Sequence, residues 1–437
     1  MLGNVNVDAV VIGAGVIGTS IALELARSGH RVAVVDKAGG IGHGSTGASS
    51  AVVRFNFSTW AGVATAWEAR HCWEAWAEHL DAPQADGLAR YRRTGLALLD
   101  VDLAPRSAFI PLFDRAGVRY EEWDAATLAT RLPGIDTGRY WPPSRITEER
   151  FWHDPSGTLG ALFTPDAGFV SDPQLAAQNL ADAARRHGVA LVLGQRVVAV
   201  PKSGDRVDGV ELADGRRIGA PVVVNAAGPW SGGLNDLAGA GADFTIGVRP
   251  MRQEVHHVPA QRGYNPPGGF GMAVADLDLG TYLRAEINDG LLVGGTEPAC
   301  DPFQWLADPD DAHPYPTAEV FEAQVTRAAR RFPTLGVPNR PRGVVGVYDV
   351  ADDWTPIYDR TDVPGFYVAI GTSGNQFKNA PVVGKFLAAI VDRVENGGDH
   401  DADPVRFVAE HTGAEIDLSA FSRRRPVNED SSGTVMG

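Results

Sequence analysis

The sequence predicts an α/β protein in which a Rossmann-like nucleotide-binding domain is joined to a second, α+β domain. Three observations predict it: an unbroken βαβ unit at residues 8–36, buried-strand patterns that return at 222–228 and 365–370, and blocks of short alternating strands between them. The nucleotide fold is therefore expected to be assembled from separate stretches of chain.

Residues 8–36 read DAVVIGAGVIGTSIALELARSGHRVAVVD. A buried strand runs into Gly13-x-Gly15-x-x-Gly18, a helix follows, Gly29 stops it, and a second strand at 32–35 ends on Asp36. Gly13 allows the tight turn, Gly15 lets the backbone approach a pyrophosphate, and Gly18 lets the helix sit close to the sheet. The helix N-terminus offers unpaired N–H groups and its positive dipole end to two phosphates. Asp36 can accept hydrogen bonds from both hydroxyls of an adenosine ribose, and an acid there disfavours a 2′-phosphate. Lys37 follows it and joins the cofactor-binding candidates.

Composition bounds the remaining possibilities. A chain of 437 residues with 44% hydrophobic content can bury a large core over two or three domains. A net charge of −15 argues against nucleic acid or an anionic membrane as partner. Two cysteines, Cys72 and Cys300, make neither a disulfide framework nor a metal site, and no metal is expected. No basic leader precedes the first apolar stretch and no run approaches ~20 apolar residues, so the cytoplasm is the expected compartment.

Along the chain, 39–54 is rich in small residues, which lets a flat group approach the backbone. A helix carrying Trp60, Trp67, Trp73 and Trp76 is expected at 58–80, its tryptophans in the core. Residues 81–150, rich in Pro, Arg and Asp, begin the second domain, with a strand at 95–99. A helix at 173–187 precedes short strands, with Asp214-Gly215 as a hairpin turn. Longer strands fill 245–298, a helix is expected at 317–332, and the last strand, loop and helix fall at 365–370, 371–376 and 380–394. The domain division follows: 1–90, 160–235 and 345–425 for the nucleotide domain, 91–159 and 236–344 for the substrate domain. Residues 426–437, polar and small, are expected to be disordered.

Four blocks in order carry a resemblance: GAGVIG with Asp36, GSTGASSAVVR, VVVNAAGPWS and GFYVAIGTSGNQFKNAPVVG. Together they resemble the D-amino-acid oxidase/sarcosine oxidase superfamily of FAD-dependent amine oxidoreductases over nearly the whole chain, nearest its sarcosine oxidase-like members. The resemblance implies FAD extended through the first domain and a substrate bound under an antiparallel sheet of the second. It puts the ribose on Asp36, the pyrophosphate and flavin against Ser45, Ser49 and Ser50, the adenine on the Val197 backbone, and the flavin against Gly228. In the last block Gly371, Ser373, Gly374, Asn375, Gln376 and Lys378 form a loop leading into a helix. Its N–H groups and dipole would face the flavin N1 and C2 carbonyl, where charge collects on reduction.

By the same resemblance Arg54 and Lys378 grip a substrate carboxylate, a guanidinium fork and an ammonium point charge, while Tyr348 and Tyr282 shape the pocket. The positions of covalent attachment in relatives fall at about Gly346 and at Gly47-Ala48, so FAD is expected to be noncovalent. The oxygen-activating lysine would fall near Leu292, and no lysine occurs between Lys202 and Lys378; Arg284 supplies either charge there or a partner for Glu286. The reaction implied is oxidation of a secondary amine or N-alkyl amino acid by hydride transfer to flavin N5, then imine hydrolysis. No general base is needed if the amine enters neutral. O2 or an electron-acceptor protein would reoxidise the flavin, and the oligomeric state stays open. The alternatives are a dehydrogenase or flavin subunit of a larger complex, a flavin monooxygenase, and a NAD-linked dehydrogenase.

Overall fold

Strand Ala9–Ile12 lies in the middle of a six-stranded sheet, and its neighbours come from distant parts of the chain. The computed structural model describes residues 5–84 and 86–436. Within it the sheet order is Ala190–Leu193, Val32–Asp36, Ala9–Ile12, Val222–Asn225, Phe366–Ile370, Ile357–Arg360. The first five strands pair in parallel and the last is antiparallel. Such strands must be apolar on both faces, because both are covered. Val11, Val34 and Val224 face the helices Val16–Arg27, Pro173–Arg186 and Ala380–Glu395. Val10, Val35 and Val223 face a small sheet carrying Val197, Val210 and Ile218.

The second layer system is an eight-stranded sheet in the order Gly343–Ala351, Val248–Pro259, Gly290–Gly295, Thr281–Glu286, Ala273–Asp276, Leu96–Leu99, Ala161–Thr164, Glu121–Trp123. All its pairs are antiparallel except Leu96–Leu99 with Ala273–Asp276. One face packs on the helix Ala318–Arg331 through Phe321, Val325 and Ala328. Arg331 closes that side from inside, its wholly buried guanidinium 2.7 Å from both Asp276 and Asp278. Strands Ala161–Thr164 and Gly343–Ala351 belong to this sheet, so its membership reaches beyond 160 and across 345.

Two local features differ from the sequence reading. The tryptophan helix is split into Trp60–Glu74 and Trp76–His79. Trp67, Trp73 and Trp76 are buried, whereas Trp60 is half-buried and hydrogen-bonds the Glu415 carbonyl. The late loop runs first into a 3-10 turn, Phe377–Asn379, and only then into Ala380–Glu395. Trp73 Nε1 donates to the Lys378 carbonyl at 2.6 Å, so the tryptophan helix supports that turn directly.

Candidate active site

The glycine turn works as a close-packed joint. Gly13 has φ +113°, and a Cβ there would stand 2.3 Å from the Ala226 carbonyl oxygen, which only glycine avoids. A Cβ on Gly18 would stand 2.0 Å from the Gly13 carbonyl oxygen. These contacts press helix Val16–Arg27 against the strand ends and open a cavity of about 960 Å³ beside them, near the upper end of the ~300–1,000 Å³ usual for small-molecule sites.

One cavity wall carries most of the sequence-selected residues. Gly13, Gly15, Asp36, Lys37, Ser45, Ser49, Ser50, Val197 and Gly228 line it, as do Gly374, Asn375, Gln376 and Lys378 from the late loop and Arg54, Tyr282 and Tyr348 from the sheet side. Three do not. Gly18 is spent on helix packing. Gly371 and Ser373 lie behind the wall, the Ser373 hydroxyl donating to the Gly371 carbonyl at 3.0 Å and accepting from the Ala351 N–H at 3.1 Å. These two shape the loop rather than face the cavity.

At the cradle end, Asp36 accepts from Ala14 N–H at 2.6 Å and from Ala38 N–H at 2.7 Å, one bond per carboxylate oxygen, which leaves each oxygen a further lone pair. Thr46, which sequence reasoning did not single out, accepts from Val16 N–H at 3.0 Å at the start of the helix. Lys37 pairs with Asp310 and lies over the Trp230 ring. A Cβ on Gly228 would meet nothing within 4 Å, so space stands open in front of that strand end. Lone pairs on Asp36, the bare glycine turn and this open floor fit an extended dinucleotide such as FAD.

The other end is charged and dry. Arg54 is 5% exposed; its guanidinium donates to the carbonyls of Asn56, Val435 and Met436 and, among the described residues, makes no ion pair within 4 Å. Lys378 donates to the Asn375 carbonyl and shares the Phe57 ring with Arg54, both cations lying 4.9 Å from its centre. Burial lowers the Arg54 guanidinium from its usual range, against the pull of Glu297. Burial, and then the Arg54 charge, hold the Lys378 ammonium far below its ordinary value. Tyr282 bonds the Ser50 hydroxyl at 2.6 Å, and burial pushes its phenol up to about 12. Tyr348 stands over Gly374, where φ is +68° and a Cβ would lie 2.3 Å from the ring. Two buried basic side chains with no carboxylate within 4 Å among the described residues favour an anion beside them.

Two components of this end escaped sequence reasoning. Residues 428–436, expected to be disordered, fold back over the cavity: Asn428 bonds Ser58 and Asp353, and Val435 and Met436 reach Arg54. Glu297 is 6% exposed, and it accepts from Val435 N–H at 3.1 Å. Burial pushes its carboxyl up to about 8, against the pull of that N–H and of Arg54. Only the invariable rarity of buried acids would have flagged it, and burial is not readable from a single Thr-Glu-Pro.

Arg284 resolves to the structural reading. It pairs with Glu286 at 2.9 Å, packs over Phe169, and is not part of the cavity wall. His256 is buried and His257 exposed, on opposite faces of their strand. Glu68, Cys72 and His411 bring ligand-type atoms within 4.8 Å of one another. Both Glu68 oxygens are already taken by His411 and Thr412 N–H groups. No helix among the described residues is long and apolar enough to cross a membrane.

Comparison with known proteins gives the same picture. The family model described as FAD dependent oxidoreductase matches residues 8–390. The hydrogen cyanide synthase subunit HcnC of Pseudomonas aeruginosa is 28% identical, over 92% of this chain and 95% of its own. The glycine oxidase of Geobacillus kaustophilus is 27% identical, over 90% and 94%. Among solved structures, L-proline dehydrogenase from P. horikoshii superposes with a TM-score of 0.75 at 22% identity, covering 97% of this chain and 98% of that one. The L-amino acid deaminase from Proteus vulgaris gives 0.71 at 17% identity, covering 97% and 99%.

Proposed function

The chain belongs to the FAD dependent oxidoreductase family, whose members similar to it include a glycine oxidase, and within it we propose that this protein oxidises a secondary amine or N-alkyl amino acid at the carbon next to nitrogen. FAD, held noncovalently, supplies the two-electron acceptor for the hydride. The observation that carries this reading is the pairing of a dinucleotide cradle with Arg54 and Lys378, two cationic side chains that have no carboxylate within 4 Å among the described residues, at opposite ends of one cavity.

Each residue then has a task. Asp36 would take the adenosine ribose, Ser45, Ser49 and Ser50 would line the path of the pyrophosphate and flavin, and the N–H groups of Gly374 and Gln376 would serve the developing charge, that of Asn375 being taken by the Thr372 carbonyl. Arg54 binds the substrate carboxylate as a fork, and that anion favours the charged form of Lys378 against the burial that disfavours it. Tyr348, Tyr282 and the buried wall exclude water and fix the carbon near the acceptor. The iminium product is hydrolysed to an amine and an aldehyde or oxo acid. Noncovalent FAD is supported by Gly346 and Ala48 lining the cavity where attachment residues stand in relatives, and by both cysteines lying off its wall.

Secondary amino acids come first among candidates because relatives named L-proline dehydrogenase and iminodiacetate oxidase share the fold. A dehydrogenase that passes electrons to a protein or quinone is the second reading. It is favoured by the absence of lysine between Lys202 and Lys378 and by Arg284 being engaged with Glu286. An anaerobic bleaching screen of N-methyl amino acids, cyclic imino acids and polyamine derivatives tests both. Bleaching by a carboxylate-bearing secondary amine is expected. Rapid return of colour on admitting oxygen marks an oxidase and slow return a dehydrogenase, while bleaching by NAD(P)H alone would overturn the reading.

A further inference from the structure

Val435 is held at both ends of its own N–Cα–C=O unit. Its N–H donates to Glu297 Oε2 at 3.1 Å, and its carbonyl accepts from the Arg54 guanidinium. An α-amino acid presents the same atoms in the same covalent order, with nitrogen on Cα and a carboxyl carbon next to it. The spacing of Glu297 and Arg54 is therefore that of one amino-acid unit, and the tail residue occupies it from within the chain.

Two further features of Glu297 have no explanation in the tail contact. Its other oxygen, Oε1, is buried without any hydrogen-bond partner, a costly state for a carboxyl group. Its backbone sits at φ +52°, in the left-handed region that a side chain this long adopts only under constraint. A single N–H from Val435 leaves one acceptor free, whereas the nitrogen of a free secondary amino acid, as an ammonium, carries two N–H groups.

We propose that Glu297 is the catalytic residue that receives the substrate nitrogen, so that the site takes α-amino acids as N–Cα–carboxylate units strung between Glu297 and Arg54. This rests on the amine-oxidation reading and adds to it the group that makes the amine neutral. Once Glu297 has lost its own proton, as pH rises through about 8, the substrate ammonium gives one proton to the carboxylate, leaving a carboxylic acid and an amine whose lone pair is free; no bond to carbon changes in that step. The raised proton affinity that burial confers on Glu297 suits a group that must hold this proton. Tyr282 and Tyr348 line the cavity beside it, whereas Glu297 itself lies off the wall, bonded to Val435, which lines it, so displacing Val435 is what brings a ligand nitrogen to Glu297.

The test uses two ligands that cannot be oxidised at a saturated carbon: pyrrole-2-carboxylate, which has an N–H beside the carboxylate, and 2-furoate, which has none. Their binding to the FAD-loaded protein is measured by calorimetry at about pH 8.5, above the value of about 8 to which burial raises Glu297 and below the value of about 9 to which it lowers Arg54. The wild-type protein is expected to prefer pyrrole-2-carboxylate by about tenfold, the value of one hydrogen bond to a charged acceptor. Glu297→Leu should abolish the preference, so that both ligands bind with the same affinity to within about twofold. Should Glu297→Leu fail to hold FAD, Glu297→Gln, which keeps shape and one acceptor, should still reduce the preference by about threefold. Equal binding of both ligands by the wild type, binding of neither, or a preference that survives substitution overturns the assignment. A protein that shows the preference and loses it in the variants, yet bleaches with no amine, removes the oxidation reading while leaving Glu297 as the nitrogen-binding group.

Discussion

Replacing Arg54 with methionine keeps the length and apolar stem of the side chain and removes its charge. The guanidinium now makes three hydrogen bonds to neutral carbonyls, two of them to Val435 and Met436, which a substrate carboxylate would displace. A hydrogen bond to a charged group is worth about 1.5–3 kcal/mol against about 0.5–1.5 for a neutral one, so exchanging two neutral bonds for two to a carboxylate gains about 2–3 kcal/mol. Lys378 remains nearby and recovers part of that loss, which puts the expected weakening at the lower end, about 30-fold in Kd for 2-furoate. Arg54→Lys, a point charge without the fork, should fall between the two. The assay is a spectral titration of bound flavin, restricted to variants that retain FAD and the wild-type circular dichroism. A neutral analogue such as furan-2-carboxamide should shift by less than about threefold. A Kd for 2-furoate within about threefold of wild type in Arg54→Met would refute the carboxylate role.

Glu297 gives a pH prediction with a definite sign. Because folding raises its carboxyl to about 8, its stabilising proton is fully present below its ordinary value of 4.5 and is lost as pH rises through about 8. Glu297→Gln removes that loss, so its stability advantage over wild type should grow from pH 5 to pH 9 toward an upper limit of about 5 kcal/mol, at 1.36 kcal/mol per unit. Denaturant melts across that range check it, and a constant difference would contradict it. Gly374→Ala, at φ +68° and with the Tyr348 ring in its way, should destabilise by about 1–3 kcal/mol and weaken flavin binding, read by melting temperature and FAD release. Deleting residues 428–437 frees Arg54 and Glu297 from Val435 and Met436, so 2-furoate should bind more tightly; weaker binding would mean that the tail builds the site instead of covering it.

Legibility in the sequence followed the range of the interaction. The cradle was readable because Gly13, Gly15, Gly18 and Asp36 are spaced by local geometry within one βαβ unit. The late loop was readable as far as Gly374 and Lys378. The 3-10 turn at Phe377–Asn379 was not, because its support, Trp73, lies about three hundred residues earlier in the chain. Glu297 is one of 54 acidic residues, and what sets it apart is burial beneath a sheet formed by distant strands. The tail reads as polar and small because side-chain composition is all that sequence displays, whereas its contacts with Arg54 are made by backbone carbonyls that every residue owns. The edges of the sheets, where Ala161–Thr164 and Gly343–Ala351 join the eight-stranded layer, likewise depend on pairings that short apolar runs do not specify.

The central claim is that a carbon beside nitrogen delivers its hydrogen to a flavin lodged between Gly15 and Gly374. Anaerobic mixing of the FAD-loaded protein with an N-alkyl amino acid that it bleaches, protiated or deuterated at that carbon, measures this step directly. Bleaching that slows on deuteration is the expected result; bleaching at one rate for both, or flavin that responds to reduced nicotinamide and to no amine, would contradict the account.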